Sequence, residues 1–145
     1  MKVSIATDHN GVVEKQELIN FLNELGVEVL DCSTNNTPTD DYPDFALVVA
    51  NNVVNKVSDL GILLCGTGIG MSIAANKVKG IRCAKVSSVA EAHLSKEHNN
   101  ANVIALSYKE NMEVLKDMIK AFIETPFSGE ERHARRVDKI TSLEG

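Results

Sequence analysis

The segment Leu60-Gly61-Ile62-Leu63-Leu64-Cys65-Gly66-Thr67-Gly68-Ile69-Gly70-Met71-Ser72 concentrates chemical potential in this chain. An apolar run ends at a thiol, three glycines alternate over five residues, and a helix-forming stretch follows. Small residues let successive backbone N–H groups converge, and a helix N-terminus adds partial positive charge. The pattern predicts an anion cradle built from Gly66, Thr67, Gly68, Ile69 and Gly70. It is not a dinucleotide fingerprint, because the third glycine comes one place early and Val86-Ser87-Ser88 stands where an acid is needed. The Gly-Lys-Ser/Thr of a nucleotide P-loop is absent. What remains is an oxyanion site, with donors aimed at charge that develops during reaction. A tight turn that needs glycine for steric reasons alone stays open as the plain alternative.

Cys65 stands at the mouth of this loop, where a helix N-terminus favours thiolate and makes the residue a candidate base or nucleophile. Cys32 and Cys83 read instead as small buried hydrophobes. Asp8-His9-Asn10-Gly11 offers a carboxylate and an imidazole suited to hydroxyls or phosphate, or an Asp8 or Asn10 cap for the next helix. Arg132 and Arg136, four apart, share a helix face that suits a phosphate, although Glu130, Glu131 and Asp138 nearby also fit a solvated, salt-bridged face. His98-Asn99-Asn100-Ala101-Asn102 fits either proton transfer or a plain polar turn. No His, Cys, Asp or Glu group has metal-ligand spacing, and no G-x-S-x-G is present, so neither a metal nor a cofactor is expected.

These residues need elements to position them. Apolar runs predict strands over 3–7, 27–31, 59–64, 81–86 and 102–106, and helical spacing predicts helices over 11–25, 41–56, 68–77, 88–97, 110–124 and 132–143. The only long loop is the polar 33–40. Strands alternating with helices imply βαβ units and a parallel sheet, here a three-layer, Rossmann-like α/β/α domain over 1–145 with five strands. The run 59–64, apolar on both faces, belongs at the centre of the sheet. Such sheets bind ligands beyond the carboxyl ends of their strands, which is where Asp8 and Cys65 fall. His98 and Asn99 precede a strand and so belong to the opposite edge. A five-residue strand is about 17 Å long, so a catalytic His98 is most simply supplied by a partner chain.

Composition agrees. The 145 residues are 43% hydrophobic and 24% charged, and nine glycines bring the apolar share to about half. A domain of this length buries roughly two-thirds of its unfolded surface, enough for a core without staples. The net charge of −5, no tryptophan and two tyrosines oppose nucleic-acid binding. The longest apolar run, Phe45 to Ala50, is far too short for a membrane span. Three cysteines without a CxxC pair, and no signal-peptide pattern, lead us to expect a cytoplasmic protein.

Several motifs together resemble the type B ribose-5-phosphate isomerases and the related allose and galactose 6-phosphate isomerases. They are Asp8-His9-x-Gly11, Asp41-Tyr42-Pro43-Asp44, Cys65 through Lys77, Gly80-Ile81-Arg82, His98-Asn99-x-Ala101-Asn102 and Arg132-His133-x-x-Arg136-Val137. The resemblance covers essentially the whole chain. It implies aldose–ketose isomerisation through an enediolate, without a cofactor. It implies that Cys65 moves the proton between C1 and C2, that His98 opens the ring, and that Thr67 handles protons near the oxygens. Gly66 to Gly70 become the anion hole, Asp8 and Asn99 sugar-hydroxyl ligands, and His9, Arg132 and Arg136 phosphate ligands. Lys109 joins the binding set where many relatives carry arginine, while Asn100 and Asn10 are further departures from the family pattern. Cys65 and His98 are both present, unlike in either subunit of the galactose-6-phosphate isomerase heteromer. A homodimer with shared sites acting on ribose 5-phosphate is therefore expected, with pairing into tetramers open. The alternatives are a hexose-phosphate isomerase and a non-catalytic sugar-phosphate-binding module, which would not need Cys65 and His98 together.

Overall fold

The computed structural model describes all 145 residues. Its elements run β1 Lys2–Thr7, α1 Val12–Glu24, β2 Glu28–Asp31, α2 Tyr42–Val54, β3 Leu60–Cys65, α3 Ile69–Ala75, β4 Cys83–Lys85, α4 Val89–Glu97, β5 Val103–Ser107, α5 Met112–Glu124 and α6 Glu131–Ser142. The five strands form one sheet in the order β2-β1-β3-β5-β4, every pair parallel. All six residues of β3 are buried, as expected for the central strand. Side chains alternate across a strand. Ile62 and Leu64 accordingly join Leu18 and Leu22 of α1 and Leu115, Met118 and Phe122 of α5 in one core. Leu63 and Cys65 join Phe45, Val49 and Val53 of α2 and Met71 of α3 in the other. Full burial of one such large side chain contributes about 1.5–3 kcal/mol, so both layers are held chiefly by apolar contact. Gly61 lets α2 approach β3, since a Cβ there would stand 2.6 Å from the Val49 methyl.

The ends of the elements depart from expectation in instructive ways. Neither Asp8 nor Asn10 caps α1: the N-cap is Gly11, with no side-chain bond, and Asp8 Oδ1 accepts the Asn10 N–H at 3.0 Å instead. β4 is three residues rather than six. It is an edge strand, and the Asn76 amide takes the place of a neighbour, donating to the Cys83 carbonyl at 2.9 Å and accepting its N–H at 2.8 Å. That use of Asn76 also accounts for α3 stopping at Ala75, short of the expected Lys77. Lys15, buried on α1, donates to Asp31 Oδ1 at 2.8 Å and to the Ser33 carbonyl at 3.0 Å, fixing the start of the long loop against α1.

Candidate active site

The chain runs from β1 outward to β2, then returns to place β3 on the other side of β1, so the strand order reverses between β1 and β3. A crevice opens beyond the carboxyl ends at such a point. The segments following β1 and β3 meet there, carrying Asp8 and His9 from one and Cys65 to Gly70 from the other. The turn after β5 borders it with Tyr108 and Lys109.

Cys65 ends β3 and is buried, and its Sγ accepts the Gly68 N–H at 3.1 Å. The Ser107 hydroxyl donates to the Gly66 carbonyl at 2.7 Å, and the Tyr108 N–H donates to the Cys65 carbonyl at 3.2 Å. These bonds stitch the loop to the end of β5 and occupy the Cys65 and Gly66 carbonyls. The N–H groups of Gly66, Thr67 and Gly70 meet no acceptor in the chain. Unpaired convergent donors of this kind stabilise an oxyanion that forms among them. Thr67 Oγ1 accepts the Ile69 N–H at 3.1 Å, which leaves its own proton free to donate.

The steric reading of the glycines is also satisfied, but at only two of them. Gly68 has φ +81°, and a Cβ there would lie 3.2 Å from the Ala105 carbonyl. A Cβ on Gly70 would collide with the Tyr42 ring. At Gly66 the only neighbour is the Tyr108 hydroxyl, at an ordinary 3.6 Å.

His9 is oriented by a partner that the sequence pattern did not single out. Asp40 Oδ1 lies 2.7 Å from His9 Nδ1 and accepts the His9 backbone N–H at 3.1 Å. Asp40 Oδ2 accepts from Asn36 Nδ2 at 2.9 Å and from the Thr37 N–H at 3.1 Å. Burial alone would raise the Asp40 pKa, but these donors outweigh it and hold the carboxyl down at about 2. A carboxylate on Nδ1 accepts the proton there and fixes the orientation of the ring.

The structure does not bring His98, Asn99, Arg132 and Arg136 to this edge. His98 caps the C-terminus of α4, on the way into the amino end of β5. Cys65 lies at the far end of β3, and six residues of strand span about 20 Å. His98 stacks on His133 of α6 with ring centroids 4.2 Å apart, which ties the arginine-bearing helix to the His98 turn. Burial and then the charges of His98, Arg132 and Arg136 push the His133 pKa down, against the opposing pull of Glu130. His133 stands in the sequence only inside the Arg132-His133-x-x-Arg136-Val137 motif, with nothing there to pair it with His98. Arg132 is paired to Glu130 at 3.2 Å, Arg135 points away to Glu131 at 2.9 Å, and Arg136 has no ion pair. A cleft of about 610 Å³ also belongs to this half and is lined by Asn99, Arg82, Cys83 and Ile140 among others. Burial raises the Cys83 thiol to about 12, which suits the inert role expected of it. No group of three His, Cys, Asp or Glu side chains gathers anywhere to hold a metal, and no helix is long and apolar enough to cross a membrane.

Fold and site together define a Rossmann-like α/β protein whose switch point sets a thiol beside a glycine loop with unpaired amides. The family model described as Ribose/Galactose Isomerase matches residues 3–140, and the chain belongs to that family. It is 41% identical to Ribose-5-phosphate isomerase B of Escherichia coli, covering 99% of this chain and 96% of that protein. Ribose-5-phosphate isomerase B of Clostridium thermocellum superposes with a TM-score of 0.95 at 43% identity, covering 99% of this chain and 97% of the other. The Mycoplasma genitalium enzyme, solved with bound ribulose 5-phosphate, superposes with a TM-score of 0.92 at 42% identity, covering 99% and 95% of the two chains.

Proposed function

We propose that this protein interconverts ribose 5-phosphate and ribulose 5-phosphate. The observation that carries the reading is the set of unpaired Gly66, Thr67 and Gly70 amides beside Cys65 Sγ at the switch point. Family membership and the named relatives support it. In this reading Cys65, as thiolate, removes the proton from C2 of the open-chain aldose and returns it to C1. The carbonyl oxygen becomes an enediolate oxygen among the amides, and Thr67 exchanges the proton between the two oxygens. Asp8 receives sugar hydroxyls, and Lys109 and the imidazolium form of His9, which donates from Nε2 while Nδ1–H rests on Asp40, receive the phosphate. One proton changes carbon and no hydride moves, so the reaction balances without a cofactor. The test is turnover of ribose, allose and galactose phosphates in the presence of a chelator. Ribose 5-phosphate is expected to be preferred and unaffected by chelation. Preference for a six-carbon phosphate would reassign the substrate.

His98, Asn99, Arg132 and Arg136 complete the site only from a second chain. We therefore read each site as composite, with ring opening by His98 of the partner subunit in a homodimer. Ile69 and Ile73 of α3, 53% and 58% exposed beside the glycine loop, support a protein partner on that side. The three free cysteines support a reducing, cytoplasmic setting.

Two results follow for the phosphate end. Arg132→Ala or Arg136→Ala is expected to raise KM with little change in kcat, each corresponding to about 1.5–3 kcal/mol for a lost charge-assisted bond. Asp40→Asn is expected to raise KM by roughly tenfold, because His9 loses the carboxylate that orients its ring. Steady-state kinetics on ribose 5-phosphate check both. An unchanged KM in Asp40→Asn would remove His9 from the phosphate site.

A further inference from the structure

Tyr108 lies outside every motif considered above, yet its side chain enters the crevice. It follows β5 directly, with its N–H on the Cys65 carbonyl. Its ring packs over Gly11, where a Cβ would stand 2.7 Å from ring carbon Cδ2. The ring therefore has a packing role, which phenylalanine would fill equally. The hydroxyl is not explained that way. It forms no hydrogen bond with the backbone and stands 3.6 Å from the Cβ position of Gly66. Its hydrogen-bond partner within the chain is the Asn10 side chain, and the charges of Asp8, Cys65 and Glu14 act on it from nearby.

We propose that Tyr108 is a substrate-contacting specificity residue, whose phenol donates a hydrogen bond to a hydroxyl of the sugar chain lying between Cys65 and Asp8. This rests on the sugar-phosphate reading above and deepens it. A polyol chain laid from the glycine loop toward Asp8 passes the Tyr108 hydroxyl. Asp8 and a Cys65 thiolate offer that chain acceptors, whereas the phenol offers a donor. Partial burial, then Asp8, Cys65 and Glu14, raise the phenol's pKa against the smaller opposing effect of Asn10, so it remains protonated at neutral pH.

The experiment compares Tyr108→Phe with wild type by calorimetric binding of two unreactive probes, ribitol 5-phosphate and inorganic phosphate. Thermal unfolding of each protein is measured alongside. Tyr108→Phe is expected to weaken ribitol 5-phosphate by about fivefold, the loss of one neutral hydrogen bond. Inorganic phosphate affinity and melting temperature are expected to match wild type. Equal weakening of both probes would place the residue at the phosphate or in the scaffold, and unchanged affinity for both would give it no ligand contact. Either result overturns the proposal. Turnover of ribose 5-phosphate by the same wild-type preparation separates the two readings. A protein that binds ribitol 5-phosphate through Tyr108 but does not turn over keeps the contact and loses the isomerase. A wild type that binds no ribitol 5-phosphate loses both.

Discussion

Cys65→Ala is expected to abolish isomerisation, lowering kcat by roughly 10³–10⁴-fold, near the upper range for loss of a positioned acid–base group. Binding of an unreactive sugar phosphate should stay near wild type. The separation follows from geometry. The loop that carries the Gly66, Thr67 and Gly70 amides keeps its Ser107 and Tyr108 bonds, neither of which involves the sulfur, and loses only the bond from the Gly68 N–H to Sγ. His9 and Asp40 lie on different segments. What disappears is the one group placed to move a proton between adjacent carbons. Solvent exchange of the C2 proton provides a second readout, and it should vanish with turnover. A Cys65→Ala variant that turns over at near wild-type rate would show that another base acts and would end the role given to this thiol.

The second large effect is one of rescue. His98→Ala is expected to be nearly inactive on ring-form substrate, as is Cys65→Ala, when each is prepared alone. Unfolding the two variants together and refolding them as a mixture should restore about a quarter of all sites. Random pairing makes half of the dimers mixed, and each mixed dimer holds one intact and one doubly damaged site. The two residues stand at opposite edges of one sheet, with β3 between them. If His98 acted within its own chain, no pairing could rebuild a site. A mixture that recovers nothing despite demonstrated heterodimers would exclude the shared arrangement.

Much of the frame was legible from local pattern. The apolar run ending at Cys65 marked the central strand, and the strand–glycine–helix sequence after it marked the loop. Periodicity carries such information because it reports which faces are buried. It does not report who meets whom across long separations. Asp40 reaches His9 over 31 residues, from a loop whose composition says only that it is polar. His133 meets His98 because α6 folds back on the α4 turn. Helical spacing places Asn76 in a helix, yet its amide edges a strand seven residues on. Tyr108 reads as an ordinary residue after a strand until the Gly11 backbone is seen beneath its ring. In each case a tertiary contact assigns the role, and nothing in the local sequence competes with a plainer reading.

The unequal status of the three loop glycines sets how this enzyme can be re-engineered. Gly68 is closed to side chains by its left-handed backbone and the Ala105 carbonyl, and Gly70 by the Tyr42 ring. A library randomised at either position spends its members on misfolded loops. Gly66 alone has room, and the space is shared with the Tyr108 hydroxyl. Adaptation to another sugar is thus expected to leave positions 68 and 70 invariant and to proceed by paired changes at 66 and 108. A bulkier residue at one position would be tolerated only with a smaller one at the other, so the two sites should be epistatic in any selection for altered substrate length.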